Sequence, residues 1–308
     1  MGMVVRPASD GSDIPAPPIL TPPSSPYPPT DSAPSDITDL FLSVHYLWDL
    51  KFLVSSLLLS FACACDRCVH QSKASHSTSP LPIAAGACGY GPIALDFNGG
   101  YVAAANPALY KNGVGCGGCF QIRCKNSKLC RSRGVKVVLT DVNQKDNQTD
   151  FILSPKAFMA LGRPGMAPQL KKLTTVDIEY KRIPCEYKKH NLTVRVEETS
   201  KKPSHLSISL LYQGGQTEIS TVDVSQVGSG NFRFMRRRGI SAIWDMSDAP
   251  TGNLQLRVAV TGGYDPVWII TDEVLPADWK IGSVYDSGSQ INEIAQELCS
   301  PCDTKQWK

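Results

Sequence analysis

GACGYG at residues 86–91 and VGCGGCFQIRC at residues 114–124 decide the fold of this chain. Together with Cys130 they place five cysteines among closely spaced glycines, and the second stretch ends in the strand-like FQIRC. This pattern predicts a small β-rich domain that is cross-linked by disulfides. Structural disulfides persist in oxidising compartments and are rare in the cytosol, so we expect the protein to be extracellular.

An apolar run upstream of this region indicates a route of export. FLVSSLLLSFA at 52–62 follows Lys51 and ends in Ala62-Cys63-Ala64, as a secretory signal and its cleavage site do. The run is shorter than the roughly 20 apolar residues of a transmembrane helix, so no membrane partner is expected. Cleavage after Ala64 would reduce the eleven cysteines to ten, an even number that suits a fully paired secreted protein.

Composition and pattern divide the chain into segments. Residues 1–50 hold nine prolines between Pro15 and Pro34, which predicts disorder, and a wrongly assigned gene start is favoured over a genuine tail. The predicted segments are this leader, a signal peptide at 51–64, a mature N-terminal segment at 65–84, a first domain at 85–188, a second domain at 191–284 and a C-terminal extension at 285–308.

Charge constrains the partners of the exported chain. The net charge is +3 overall, and the residues after Ala64 carry +7 from 29 basic and 22 acidic side chains, which favours acidic polysaccharides as partners. No domain is basic enough to predict nucleic-acid binding. The run Arg236-Arg237-Arg238 could meet pectin carboxylates, but a solvated hairpin tip is favoured. Two sequons predict glycosylation at Asn147 and Asn191.

The secondary structure of the two domains is predicted to be almost entirely β. FQIRC, VKVVLT (135–140) and TVDIEY (175–180) are strand-like, and one helix is expected over 155–161 with Ser154 as its cap and Pro155 at its first position. After residue 190, alternating segments separated by Gly and Pro turns predict a sandwich of six to eight strands. Residues 291–298 are helix-like.

Taken together, these motifs resemble those of the plant expansin family, and most closely its expansin-like A subgroup. The resemblance is carried by GACGYG, CGGCFQIRC (116–124), IEYKRIPC (178–185), LLYQGGQTE (210–218), TGGYD (261–265) and LPADW (275–279). The CDRC start at 65–68 and the cysteine-bearing extension point to the subgroup. The resemblance implies an all-β fold, with a six-stranded double-psi β-barrel similar to family-45 endoglucanases followed by an immunoglobulin-like β-sandwich.

The resemblance also implies a disulfide pairing. The six cysteines of the first domain leave fifteen connectivities open from sequence alone. Family likeness implies the pairs Cys88–Cys116, Cys119–Cys185 and Cys124–Cys130. For the remaining cysteines, two disulfides are favoured over a four-thiolate zinc site, so no metal or cofactor is predicted; these cysteines are Cys65, Cys68, Cys299 and Cys302.

Hydrolysis of a glycosidic bond normally requires two carboxyl groups. Expansins keep an aspartate in a His-Phe-Asp motif just before Leu-Ser, in the place of the catalytic acid of the related endoglucanases. Here the segment reads Asp150-Phe151-Ile152, so the family's histidine becomes Asp150 and its aspartate becomes Ile152. The acid is therefore missing, no catalytic residue is predicted, and the protein is not expected to be an enzyme.

Other residues are predicted to bind polysaccharide. Asp141 matches a groove aspartate of relatives, and Tyr90 is a groove candidate by family position. In bacterial relatives, aromatic rings that stack on cellulose occupy positions that align here with His205, Leu206 and Ser241, so that flat strip is not expected. The predicted polysaccharide-binding residues are Tyr90, Asp141, Asp150, Tyr212, Phe232 and Tyr264.

The leading functional hypothesis is a secreted, monomeric, non-hydrolytic protein that binds cell-wall polysaccharides such as cellulose, hemicellulose or pectin. One alternative is a weak β-glucan hydrolase that uses Asp141 and Asp150. The other is a purely structural carbohydrate-binding module, against which the two-domain layout argues.

Overall fold

A computed structural model describes residues 69–144, 149–261 and 266–295. The predicted leader and signal peptide lie outside these residues. So do Asn147, Tyr264 and the four cysteines near the two ends of the mature chain.

The first domain is a closed barrel of six strands. The strands are β1 (His70–His76), β2 (Val102–Ala105), β3 (Cys119–Cys124), β4 (Val135–Val142), β5 (Phe151–Leu153) and β6 (Thr175–Ile183). The three segments that the sequence predicts as strands are β3, β4 and β6. The strand order around the barrel is β1-β5-β2-β4-β3-β6, with parallel pairing of β1 with β5 and of β2 with β4.

The barrel interior is filled by side chains, among them three rings that meet edge to face. Phe120 and Tyr180 lie with their ring centroids 5.4 Å and 4.9 Å from that of Phe151. Offset contacts of this kind stabilise a core beyond the area that they bury.

Four short helices connect the strands: α1 (Leu81–Ala84), α2 (Pro107–Tyr110), α3 (Pro155–Ala160) and α4 (Ala167–Lys171). The predicted helix is α3, in which the Ser154 hydroxyl accepts a hydrogen bond from the backbone N–H of Ala157. The sequence did not predict the other three, because four or five residues are too few to show a helical period.

Three disulfides cross-link the barrel, and they are the pairs that the resemblance implies. Cys88–Cys116 joins the GACGYG segment to the loop before β3, and Cys119–Cys185 joins the start of β3 to the segment just after β6. Cys124–Cys130 closes the short loop after β3. Because such bridges restrict the unfolded chain, they stabilise a domain whose core is small.

The second domain contains eight strands that fold into two layers around one core. The strands are β7 (Thr193–Val196), β8 (His205–Leu211), β9 (Ile219–Gln226), β10 (Arg233–Arg237), β11 (Ile243–Ser247), β12 (Leu254–Thr261), β13 (Pro266–Ile270) and β14 (Val284–Asp286). Their order is β13-β12-β9-β10-β11-β8-β7-β14. Strand β10 belongs to both layers, because residues 233–235 pair with β9 and residues 236–237 pair with β11.

These two domains confirm the predicted all-β fold of a six-stranded barrel followed by a β-sandwich. Trp244 and Trp279 are buried in the core of the sandwich. The predicted C-terminal helix is wrong for residues 291–295, where Ile294 instead forms a parallel bridge with Gln216. The backbone N–H groups of Gln216 and Ala295 both donate hydrogen bonds in this bridge, and an extended segment satisfies them without a helix.

Candidate functional site

Asp141, near the end of β4, is held by the GACGYG segment. Its Oδ1 accepts hydrogen bonds from the backbone N–H groups of Ala87 (2.7 Å) and Val142 (2.8 Å). A Cβ at Gly86 would lie 2.2 Å from the Asp141 Cγ, so only glycine permits this approach. Both hydrogen bonds go to Oδ1, and no hydrogen bond between described residues uses Oδ2. Oδ2 can therefore accept a hydrogen bond from a ligand.

Asp141 and Ile152 lie on one rung of the barrel. Asp141 pairs with Ala104 of β2, and Ala104 pairs with Ile152 of β5. Paired residues of adjacent strands project to the same face, and two strand spacings separate the first and last members of this rung by about 9.5 Å. Two carboxyl groups at roughly 6.5–9.5 Å are the arrangement of an inverting glycosidase, and here one of the two positions holds a hydrocarbon.

Both residues line a cleft of about 550 Å³ on the barrel surface. Asp141 is the one ionisable side chain among the described residues that line it. The other walls combine apolar and amide groups, including Pro82, Ile83, Val142 and Asn143. This composition suits a ligand with hydroxyl groups and apolar C–H faces better than it suits proton transfer.

The sandwich closes one side of the cleft through the turn between β10 and β11. Ile240, in this turn, is exposed and lines the cleft. Its carbonyl accepts a hydrogen bond from the Tyr110 hydroxyl (2.6 Å), and Gly113 packs so closely that an added Cβ would lie 2.1 Å from that carbonyl oxygen. Burial raises the pKa of the Tyr110 phenol, and the charge of Asp141 raises it further, so the hydroxyl stays protonated and donates.

Arg237 fixes the same turn. Its guanidinium donates to the carbonyls of Gly113 (3.2 Å), Ser241 (3.2 Å) and Ile219 (2.6 Å), and it lies 4.3 Å from the centre of the Trp244 ring. The barrel and the sandwich, which belong to one compact unit, are therefore joined at the edge of the cleft by a planar cation with several fixed partners.

The basic run at 236–238 is not a uniform anion site. Arg237 is engaged as described, and Arg238 forms a two-pronged ion pair with Asp245 at 2.6 Å and 2.7 Å. Burial alone would raise the pKa of Asp245, but the hydrogen bonds from Arg238 bring it below its usual range. Of the three, only Arg236 is exposed; Arg237 and Arg238 are half-buried.

Asp150 does not line the cleft. Its Oδ1 accepts a hydrogen bond from the Asn106 side chain (2.6 Å), and its backbone carbonyl accepts one from the Asn106 N–H (2.8 Å). Asn106 in turn caps α2. The structure thus gives Asp150 a role in positioning α2, away from the rung that carries Asp141 and Ile152.

Tyr90 is placed in the interior, which corrects the expectation that it lines a groove. The ring is 2% exposed and meets Phe97 edge-on with 5.1 Å between centroids. Burial raises the pKa of its phenol. A ring that is covered on this scale cannot stack on a sugar.

Tyr212 lies at the junction of the two domains and is half-buried. The His190 ring stacks on it at 4.2 Å, and Tyr187 and Phe97 meet it edge-on at 5.4 Å and 5.3 Å. One face of the ring is therefore occupied by a neighbour of the same chain. The ring packs the junction, which leaves it little area for a ligand.

The outer face of β7, β8 and β11 is polar. This is the face that carries His205, which lies 3.4 Å from Asp245, while Leu206 points inward and is fully buried. The Ser209 hydroxyl donates to Glu197 at 2.6 Å. Burial raises the pKa of Glu197, and the bond from Ser209 opposes that rise. No Phe, Tyr or Trp ring projects outward from the described strands of this face.

Two further predicted residues lie on the sandwich. Phe232 is half-exposed, and the guanidinium carbon of Arg257 lies 4.5 Å from its ring centre. The Asn191 side-chain amide donates to Asp286 at 3.0 Å. The described residues contain no group of three or more His, Cys, Asp or Glu side chains placed to hold a metal ion. None of the described helices has the length and apolarity needed to cross a membrane.

The fold and the shared cleft define a class of two-domain proteins in which a β-barrel and a β-sandwich line one groove. Residues 102–180 match the lytic transglycolase family model, and residues 192–276 match the expansin C-terminal domain. Expansin-like A1 of Arabidopsis thaliana is 51% identical over 258 residues, which cover 83% of this chain and 97% of that protein.

Two other proteins give the same picture. Expansin-like A3 of Oryza sativa subsp. japonica is 50% identical over 253 residues, covering 80% of this chain and 91% of its own. The solved structure of a mutant Clavibacter michiganensis expansin in complex with cellohexaose shares the fold, with a TM-score of 0.55, 18% identity and coverage of 72% and 97% of the two chains. This chain belongs to the expansin family, and within it to the expansin-like A subgroup.

Proposed function

We propose that this chain is a secreted, non-hydrolytic protein that binds cell-wall polysaccharide in the cleft shared by the barrel and the sandwich. The observation that carries the proposal is the rung on which a fixed Asp141 carboxylate shares its face with the hydrocarbon of Ile152. Family membership supports a carbohydrate-binding, wall-associated protein. The complex of the bacterial structural neighbour with cellohexaose supports a sugar ligand.

The cleft offers a sugar chain two kinds of contact. The Oδ2 of Asp141 accepts a hydrogen bond from a sugar hydroxyl, and a bond to a charged acceptor contributes about 1.5–3 kcal/mol. Ile152, Ile240 and Val142 present hydrocarbon to the C–H faces of the ring. Neither contact cleaves a bond, because Ile152 can neither donate nor accept the proton that hydrolysis requires.

Export is part of the proposal. Three disulfides within the barrel support an oxidising compartment, as does the apolar run before Ala64. The finer proposal is that binding disrupts non-covalent contacts between wall polysaccharides. Extension of heat-inactivated walls under constant load, with and without the protein, tests that step.

The test of binding without cleavage uses soluble β-glucans and three proteins: wild type, Asp141→Asn and the control Asp150→Asn. We expect retarded migration of the wild type in gels that contain glucan, a clear loss of retardation for Asp141→Asn, and little change for Asp150→Asn. New reducing ends should not form with any of them. Release of reducing ends by the wild type, abolished by Asp141→Asn, would establish hydrolysis and overturn the proposal.

A further inference from the structure

A row of large apolar side chains covers the outer face of β13, β12, β9 and β10. Phe234 is 55% exposed, Trp268 47% and Ile270 56%. They project outward because the strands alternate, and inward positions such as Val258 and Val260 fill the core. Exposed apolar groups gathered on one face mark an interaction surface more often than scattered ones do.

An ion pair sits at the centre of this face. Arg257 of β12 lies on one rung with Asp223 of β9 and Phe234 of β10. Its Nη2 and Nε atoms donate to Asp223 Oδ2 at 2.5 Å and 2.9 Å. Its guanidinium carbon lies 4.5 Å from the Phe232 ring centre and 4.7 Å from that of Trp268. The guanidinium thus contacts both rings.

We propose that this face is a second polysaccharide-binding surface, which we call the ring face and define by Phe232, Phe234, Trp268, Ile270 and the Arg257–Asp223 pair. Its ligand is an extended, uncharged pyranose chain. Planar, rigid rings present large apolar areas to the C–H faces of sugars at a small entropic cost. The polar edges of the ion pair can meet hydroxyl groups.

The two opposite charges at the centre of the ring face compensate each other, which favours a neutral ligand. Asp223 compensates Arg257 at hydrogen-bond distance, so the middle of the ring face carries no net charge that an acidic polysaccharide would neutralise. The inference rests on the proposed function for the class of ligand but concerns a different surface. The cleft is formed by the barrel and the turn between β10 and β11, whereas the ring face belongs to the sandwich alone. One molecule could therefore contact two polysaccharide chains.

The experiment measures depletion of the full chain from solution by regenerated amorphous cellulose. The test variant is Trp268→Ala with Phe234→Ala, and Trp268→Phe keeps a ring at the first position. Ile281→Ala removes an equally exposed apolar group outside the ring face, and Asp141→Asn perturbs the cleft. We expect the double variant to bind on the order of tenfold more weakly, Trp268→Phe to keep most of the affinity, and Ile281→Ala to match the wild type.

The variants separate the two proposals. If the double variant binds cellulose like the wild type while Asp141→Asn does not, the ring face is refuted and the cleft stands. If the double variant loses binding and Asp141→Asn keeps it, the ring face stands and the cleft is refuted. If the double variant binds polygalacturonate more weakly than the wild type but binds cellulose equally well, the proposal of a neutral ligand is refuted.

Sedimentation of the free protein tests the competing occupant. A wild-type dimer that the double variant turns into a monomer would make the ring face a contact between copies of this chain and would overturn the inference. Matching thermal midpoints establish that the variants are folded. Should the double variant unfold, Phe234→Ser, a single change at an exposed position, carries the same test on cellulose.

Discussion

Gly86→Ala tests whether the close approach of the GACGYG segment holds the Asp141 carboxylate in the cleft. The new Cβ would lie 2.2 Å from Asp141 Cγ, 2.3 Å from its Cβ and 2.5 Å from Oδ1. The side chain and its strand must shift, which costs about 1–3 kcal/mol as overpacking does. The shift also breaks the hydrogen bonds from the N–H groups of Ala87 and Val142, for about 2 kcal/mol more. We expect a total loss of about 3–5 kcal/mol in the free energy of unfolding.

Urea unfolding of a double-mutant cycle measures the effect. The three atoms nearest to the added Cβ all belong to Asp141, so Asp141→Gly removes the obstruction. In that background Gly86→Ala should cost less than about 1 kcal/mol, which gives a coupling free energy of at least about 2 kcal/mol. Gly91→Ala is the matched control: its φ of +67° imposes a backbone cost of about 1–2 kcal/mol, but nothing lies within 4 Å of the added Cβ.

The loss in free energy of unfolding caused by the control Gly91→Ala should add to that of Asp141→Gly without coupling. Where it still folds, Gly86→Ala should also weaken glucan retardation as Asp141→Asn does, because the carboxylate is displaced. If Gly86→Ala and Asp141→Gly combine additively, within about 0.5 kcal/mol, the contact does not hold the carboxylate and the reasoning is refuted.

Three further changes test the junction of barrel and sandwich. Burial alone would raise the pKa of Glu218, but Arg182 and Lys111 bring the pKa below 4.5. The charged Glu218 therefore stabilises the fold fully above pH 4.5, and this contribution is lost as the pH falls through the folded-state pKa. On acidification from pH 5 to about pH 2, the melting temperature of Glu218→Gln should therefore fall less than that of the wild type, and equal decreases would contradict this. Tyr110→Phe removes the bond to Ile240 and should cost about 1 kcal/mol in urea, together with weaker glucan binding; unchanged stability would mean that the bond contributes nothing. Arg237→Lys keeps the charge but not the planar fork and should cost about 2–3 kcal/mol, whereas a cost below about 0.5 kcal/mol would remove it as a junction residue.

The sequence predicted the barrel best where local chemistry is strong. Cysteines spaced by glycine, β-branched runs and the Ser154-Pro155 start of α3 each act over a few residues, and the structure contains the elements they predict. The burial of Tyr90 could not be predicted from local sequence patterns of this kind. It depends on residues 91–100, whose irregular helical turns bring Phe97 against the ring, and no periodic pattern encodes such a segment.

The ring face shows a second limit. Trp268 lies in the apolar strand β13 and Phe234 lies in the arginine-rich strand β10, and large aromatic residues are more often inside a domain than outside. Their direction depends on strand register: Trp268 pairs with Ala259, and Phe234 pairs with Asp223. Ala259 and Asp223 belong to the outward set of their strands, so their partners are outward too. The sequence of β12 shows which of its residues alternate inward and outward. The pairing of β12 with β13 and of β9 with β10, which sets the direction of Trp268 and Phe234, comes only from the structure.

The two outer faces of the sandwich differ in what a ligand would have to displace. On the face of β7, β8 and β11, Arg238, Asp245 and Glu197 already hydrogen-bond to neighbours in the protein, so a sugar hydroxyl competes there with bonds that the protein makes. On the ring face Phe234, Trp268 and Ile270 expose hydrocarbon, and covering these side chains removes apolar surface from water without breaking a hydrogen bond. The same reasoning favours the cleft, where Asp141 Oδ2 takes no part in the bonds that fix Oδ1. On the proposed function we therefore expect binding where the fold leaves either apolar area or an unused acceptor, whereas the polar groups on the face of β7, β8 and β11 are used within the protein.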